Sequence, residues 1–347
     1  MGLRVICTWF LTLLFLVTVG LPPVDLQILL RIKEILNPWN PACRIQECCF
    51  NTQSYNPNMA QLERSLDRYL FGQHLAKMIL LGAVRGHIQT ANPEKPLVLS
   101  LHGPAGTGKN HITRLLVESI YPKGLESRFV TVKMATKDFP HKSLLTKYQA
   151  ELVQLIRKKM SSCPHHIFVF DEVDNMPPGL LDSLKPFMDY YDSVDGVDYR
   201  RAIFILRSNL AANAITKYTI DKYEEGRNRW SIQLPELEKV ITNEVIQQAG
   251  TGLYLAKIVS SHLVSHFVPF LPLEKVHVRQ CIQEEFRRRG REVSEEAEEE
   301  VLSLLQFTVS NDSQQFSVKG CKNVAEKVSV YMFSMFNRNQ DTHRIEL

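Results

Sequence analysis

The octapeptide Gly103-Pro104-Ala105-Gly106-Thr107-Gly108-Lys109-Asn110 fits G-x-x-x-x-G-K and constrains the fold more than any other stretch of the chain. Its glycines let the loop curl so that backbone N–H groups point inward at phosphate oxygens, and Lys109 adds a point charge for the β and γ positions. Such a loop works where a strand delivers it and a helix leaves it, because the positive end of the helix completes the cradle. Both flanks meet that requirement. Pro96 to His102 (PLVLSLH) is a short apolar run suited to a buried strand, and Asn110 to Ile120 follows a helical pattern. Asn110 stands where Ser or Thr usually ligates Mg²⁺. A carboxamide oxygen is also a hard ligand, directly or through a water, so Asn110 is a candidate metal ligand.

A loop of this kind needs carboxylates at the same edge of the sheet. Ile167-Phe168-Val169-Phe170 is an unbroken apolar run, as expected of a strand covered on both faces, and it ends in Asp171-Glu172. In open α/β sheets that edge is where the ligand lies. Asp171 is the candidate Mg²⁺ ligand and Glu172 the candidate general base for an attacking water. Asp174 reads as a cap or ion-pair residue. A further apolar run, Ala202 to Leu206, leads into Arg207-Ser208-Asn209, which sets the Asn209 amide at the same edge as a candidate γ-phosphate sensor.

Phe129 to Met134 reads as another strand. Met59 to His87 reads as helix with a break at Phe71-Gly72-Gln73, and Leu144 to Met160 as a helix with Leu145, Leu152, Leu155 and Ile156 on one side. Strands alternating with helices predict an α/β fold with a parallel sheet. At Phe267 to Pro272 two prolines punctuate an apolar stretch, and beyond it charged helices are expected over Val276–Arg289 and Ser294–Leu305, with Glu295 to Glu300 as a solvated face. The expected organisation is a leader over 1–20, a cysteine-containing segment over 21–58, an α/β nucleotide domain over 59–266 and a small helical domain over 267–347.

Charge and cysteines bear on partners and compartment. With 41 Lys and Arg against 37 Asp and Glu the net charge is +4, too close to balance for a nucleic-acid binder. Arg4 followed by the apolar run Val5 to Val19 and by Thr18-Val19-Gly20 reads as a cleavable secretory signal, about 15 residues being short of a membrane span. Its loss removes Cys7 and leaves six cysteines in an oxidising compartment, Cys43, Cys48, Cys49, Cys163, Cys281 and Cys321, with the pairing open. Leu26 to Leu36 is amphipathic, suited to a packed helix or to peripheral membrane association. Asn311-Asp312-Ser313 is a glycosylation sequon usable in such a compartment. The terminal Arg344-Ile345-Glu346-Leu347 only partly matches a retrieval tag.

With these motifs the chain resembles the torsins, luminal AAA+ ATPases related to the Clp and Hsp100 unfoldases. The resemblance runs through Leu70-Phe71-Gly72-Gln73-His74-Leu75-Ala76, the phosphate loop with its Asn110, Asp138-Phe139-Pro140-His141, Asp192-Ser193-Val194-Asp195-Gly196-Val197, Phe267 to Glu274 and Lys319-Gly320-Cys321-Lys322. It implies a P-loop AAA+ domain with a C-terminal helical lid, ATP and Mg²⁺ as cofactors, Asn209 as first sensor and Lys322 as second sensor. It also implies a Cys281–Cys321 pair that ties nucleotide sensing to redox state. Further implications are residence in the endoplasmic reticulum lumen and nuclear envelope, homo- or hetero-oligomers of torsin-like subunits, and an unidentified protein substrate in quality control or membrane remodelling. A transmembrane activator of the LAP1 or LULL1 type would supply an arginine finger from its luminal domain. Arg200, Arg201, Arg207, Arg227 and Arg229 are this chain's own candidates to reach a neighbouring site, each expected at the solvated surface. A nucleotide-gated binding protein with incidental hydrolysis is the alternative.

Overall fold

Leu97–His102 (β1) is buried at every residue, as a strand must be when helices cover both faces of its sheet. In a computed structural model the residues described are 47–49, 57–247, 261–309 and 315–345. The chain divides into Met1–Asn56 and Pro57–Leu347. Of the first unit only 47–49 are described, without regular secondary structure. The leader, Cys43, the amphipathic Leu26 to Leu36 segment and Asn311 lie outside the described residues.

The second unit opens with helices α1 (Met59–Tyr69) and α2 (His74–Gln89), which precede β1, and α3 (Lys109–Ile120) follows the phosphate loop. Next come β2 (Val130–Met134), α4 (Leu145–Ser162), β3 (Ile167–Asp171) and β4 (Ile203–Ser208). Then follow α5 (Ala212–Glu224), α6 (Leu234–Gln247) and β5 (His266–Pro269). The five strands form one sheet in the order β2-β3-β4-β1-β5, with every pairing parallel. Parallel order forces each connection to cross a face, which is why helices and strands alternate in sequence. On α4 the buried stripe is Tyr148, Leu152, Ile156 and Met160, one residue every turn. Leu145 and Leu155, expected on that face, flank it half-buried.

Two expectations are corrected. Phe267 to Pro269 belongs to the sheet and not to the small domain, since β5 pairs with β1 from Leu99↔His266 to His102↔Pro269. Pro269 is tolerated because β5 is an edge strand, where a missing N–H breaks no ladder. The small domain also holds more than helices. Beside α7 (Lys275–Arg288), α8 (Glu295–Ser303) and α9 (Val324–Ile345) it contains an antiparallel hairpin of β6 (Phe307–Val309) and β7 (Gln315–Ser317).

That domain has its own core of Leu273, Val278, Ile282, Phe286, Ala297, Val301, Leu302, Val324 and Val328. Ser294 caps α8 by accepting from Ala297 N–H at 3.2 Å. The charge run is not solvated throughout, because Glu298 is buried and accepts from Arg279 and Gln283. Cys281 and Cys321 form a disulfide that links α7 to the turn before α9. Cys48, Cys49 and Cys163 are disulfide-bonded as well.

The connection between the domains is held by buried polar groups. Gln73 Nε2 donates to Thr107 O at 3.0 Å and Leu271 O at 2.8 Å, while its Oε1 accepts from Leu271 N–H at 2.9 Å. Arg229, 3% exposed, donates to Gly72 O, Pro272 O and Glu274 Oε1. Tyr223 Oη donates to the same Glu274 oxygen at 2.6 Å. These bonds tie the loop before α2, the phosphate loop and the linker after β5 into one strap.

Candidate functional site

The phosphate loop is shaped by what surrounds its glycines. Gly103 has φ +147° and a Cβ there would stand 2.4 Å from Phe270 O; at Gly108 (φ +113°) it would stand 2.8 Å from Leu70 Cδ1. At Gly106 (φ +75°) it would stand 2.0 Å from Lys319 O. Side chains at these positions would therefore fill the cradle or drive its walls apart. Gly108 is the N-cap of α3 and offers no side-chain cap, so the first-turn N–H groups of that helix are left for an anion. Lys109 is buried, and its Nζ donates to Gly103 O at 2.6 Å and Pro104 O at 2.8 Å. Burial lowers its pKa to about 8, against the pull of Asp174 and Asp171.

The carboxylates stand where the strand ends predict. Glu172 directly follows β3 in a left-handed conformation (φ 52°), which is costly for a residue with a Cβ and turns its carboxylate out of the strand direction. Its Oε2 accepts from Thr136 Oγ1 at 2.9 Å, on the single helical turn Ala135–Asp138 after β2. Asp174 bridges to the end of β4, accepting from Ser208 Oγ at 2.9 Å and Asn209 N–H at 3.2 Å. His102 joins the same edge from β1, with Nε2 2.7 Å from Ser100 Oγ and Nδ1 3.3 Å from Leu210 O. Full burial pushes its pKa down to about 4, so it is neutral near pH 7.

Arg207 departs from expectation. It is 6% exposed rather than solvated, and its Nη2 lies 2.7 Å from Asp171 Oδ2. The other Asp171 oxygen accepts from Glu172 N–H at 3.1 Å. Arg229 is equally buried and committed to the strap described above. Arg200 pairs with Asp192 and Asp198, Arg201 donates to Ala91 O, and Arg227 pairs with Glu225 and Glu236 at the surface.

The small domain closes the other side. Cys321 N–H donates to Gly106 O at 3.0 Å, and a Cβ on Gly320 (φ +52°) would stand 2.3 Å from that same oxygen. The Lys319-Gly320-Cys321-Lys322 turn therefore touches the phosphate loop backbone to backbone. A cavity of about 490 Å³ lies between the domains. Gly106 to Asn110, Asp171, Glu172, Asn209, Cys321 and Lys322 all line it, so the predicted site residues beyond the start of the loop converge on one space. Tyr69, Leu70, Phe71, Leu273 and Val324 give it an apolar end suited to a nucleobase. Pro104 contributes through its carbonyl alone, in the Lys109 bond.

The donor set fits polyphosphate well, with helix N–H groups, Lys109 and Lys322 facing one cavity. It fits a divalent metal less well. Asn110 is exposed and uncharged, and both oxygens of Asp171 already have partners. No cluster of three or more His, Cys, Asp or Glu suited to a metal occurs among the described residues. Gln73, Thr136 and the buried state of Arg207 were not read from sequence. Only Arg207 carried a signal there, since a charge ending an apolar strand must find a countercharge, and Asp171 ends the neighbouring one.

Comparison with known proteins agrees with this architecture. A family model described as Torsin matches residues 43–170, and one described as Torsin-1A, C-terminal domain, matches residues 273–331. A torsin-like protein of Caenorhabditis elegans is 41% identical over 293 residues, covering 84% of this chain and 82% of the relative. A torsin-like protein of Drosophila melanogaster is 35% identical over 295 residues, covering 84% and 86%. Torsin-3A of Rattus norvegicus is 34% identical over 305 residues, covering 87% and 76%. Among solved structures, the S. cerevisiae Hsp104-ADP complex superposes with a TM-score of 0.56 at 17% identity, over 82% of this chain. The match takes in 48% of that Hsp104 chain, so the likeness is one of fold.

Proposed function

From the premise that the chain belongs to the torsin family and has the AAA+ fold of Hsp104, we propose that it binds and hydrolyses ATP in the cleft between its two domains. The observation that carries this reading is the convergence of Lys109, Glu172, Asn209 and Lys322 on one cavity. The loop N–H groups and Lys109 hold the phosphates. Glu172 accepts the proton of the attacking water, and Asn209 orients that water or reads the γ-phosphate. Lys322 approaches from the small domain and adds positive charge where negative charge builds up. Lys109 exchanges its bonds to Gly103 O and Pro104 O for phosphate oxygens, which brings the loop's only side-chain cation to bear on the ligand.

The finer reading is a luminal enzyme of the endoplasmic reticulum and nuclear envelope. It assembles with torsin-like subunits and depends on a membrane-anchored activator of the LAP1 or LULL1 type for its arginine finger. The leader-like N-terminus and the Cys281–Cys321 disulfide support an oxidising compartment. The commitments of Arg200, Arg201, Arg207 and Arg229 to partners within the chain support an external finger. The bond from Cys321 N–H to Gly106 O supports a redox influence on nucleotide affinity, since opening the disulfide frees the turn that carries it.

Phosphate release by the purified chain, with and without the activator's luminal domain, tests the reading. The expected result is a low basal rate raised at least about tenfold, an arginine finger being worth up to about 10³ to 10⁵. A high basal rate lost on replacing Arg227 would overturn the external finger. Tight ATP binding with no release in either condition would leave a nucleotide-gated binding protein.

A further inference from the structure

Arg207 is a buried cation that the function above does not use. It is the penultimate residue of β4, a strand buried along its whole length, and it lines the cavity beside Lys109, Asp171 and Glu172. One of its terminal nitrogens is ion-paired with Asp171 at 2.7 Å. Its Nε is also buried and has no hydrogen-bond partner among the described residues. A guanidinium keeps its charge at every accessible pH and presents donors in a fixed planar fork. A buried donor without an acceptor carries a desolvation cost that an incoming oxyanion removes.

In most sites of this kind the strand-end carboxylate and the polyphosphate are both anionic, and a divalent cation keeps them from repelling each other in a poorly screening medium. Here the Asp171 carboxylate is already neutralised by a permanent cation held on the neighbouring strand. The other metal handle, Asn110, is an uncharged amide and brings no repulsion of its own. The other carboxylates at this edge are Glu172, which accepts from Thr136, and Asp174, which accepts from Ser208 and Asn209 and lies near enough to Lys109 to raise its pKa.

We propose that Arg207 stands in for the divalent cation in nucleotide binding, so that this chain binds metal-free ATP nearly as tightly as the metal complex. Arg207 neutralises Asp171 and offers its unpartnered Nε–H to a phosphate oxygen. This rests on the reading of the cleft as an ATP site, and it concerns binding rather than turnover.

The test is the affinity of the purified full chain for ATP in Mg²⁺ and in EDTA, read by calorimetry. The wild type is expected to differ by no more than about threefold between the two, and Arg207→Leu to bind at least about tenfold more weakly in EDTA than in Mg²⁺. A wild type that loses more than about tenfold in EDTA overturns the proposal and leaves the ATP site standing. No binding in either condition overturns both. Should Arg207→Leu not fold, Arg207→Lys keeps the charge without the fork and is expected to show intermediate metal dependence. Metal dependence in either variant equal to that of the wild type would remove the guanidinium from the site's chemistry.

Discussion

The two walls of the cleft are built on opposite electrostatic plans. On the sheet wall Lys109, Asp171, Arg207 and Ser208 are all buried, and each is bonded within the wall itself. On the lid wall Glu284 and Glu285 are paired with arginines of the lid itself, but in the turn that faces the loop Lys319 and Lys322 are exposed, and its contact with the sheet side is made by backbone, through Cys321 N–H and Gly106 O. Charges that are compensated within the fold hold it together, and removing one leaves its partner stranded. Charges that face water do little for the fold and are free to answer a ligand. The sheet wall is thus where stability and binding are entangled, and the lid wall is where response can be altered alone.

The sharpest way to break this contrast is Asp171→Ala, which strands Arg207 in a buried setting. A loss of about 3 to 5 kcal/mol in urea unfolding is expected, as for other broken buried pairs. Gly320→Ala comes next, because its Cβ would stand 2.3 Å from Gly106 O in a left-handed backbone. It is expected to cost about 1 to 3 kcal/mol and to weaken ATP binding, both visible in melts with and without nucleotide.

Acidification has an effect comparable to the first of these by pH 5. His102 and His166 have native pKa values pushed down by burial to about 4 and about 3, below the ordinary 6.5. Between those values the unfolded chain binds more protons than the native one, so stability falls as pH drops below about 6.5. The slope for each is about 1.4 kcal/mol per pH unit. A melting temperature flat from pH 7 to pH 5 would contradict the neutral, buried state of both. Lys322→Ala should have the smallest effect on the fold, within about 0.5 kcal/mol without ligand, while reducing the stabilisation that ATP confers. A large loss of stability without ligand would mean that the lid wall resembles the sheet wall after all.

What could be read from sequence was local. The loop from Gly103 to Asn110, the strand end at Asp171-Glu172 and the parallel α/β order follow from patterns a few residues long. What escaped depends on distant partners. Gln73 is a buried residue because of Leu271, 198 positions away. Arg207 is buried because a carboxylate 36 positions earlier ends the adjacent strand, which turns an expected surface charge into an ion pair. Residues 267–272 look like a boundary because Pro269 and Pro272 punctuate an apolar stretch, and only the sheet order reveals an edge strand that accommodates proline. The short hairpin of the small domain has strands of three residues, too brief to carry a period.

The contact between Gly106 and the Gly320-Cys321 turn has a mechanical consequence. With no side chain between the two backbones there is no compliant spacer, so the small domain cannot pivot about the cleft while keeping this bond unless it drags the phosphate loop along. Lid angle and loop shape then share a single degree of freedom, and a torque applied to the lid would be delivered directly to the peptide groups of the glycine loop.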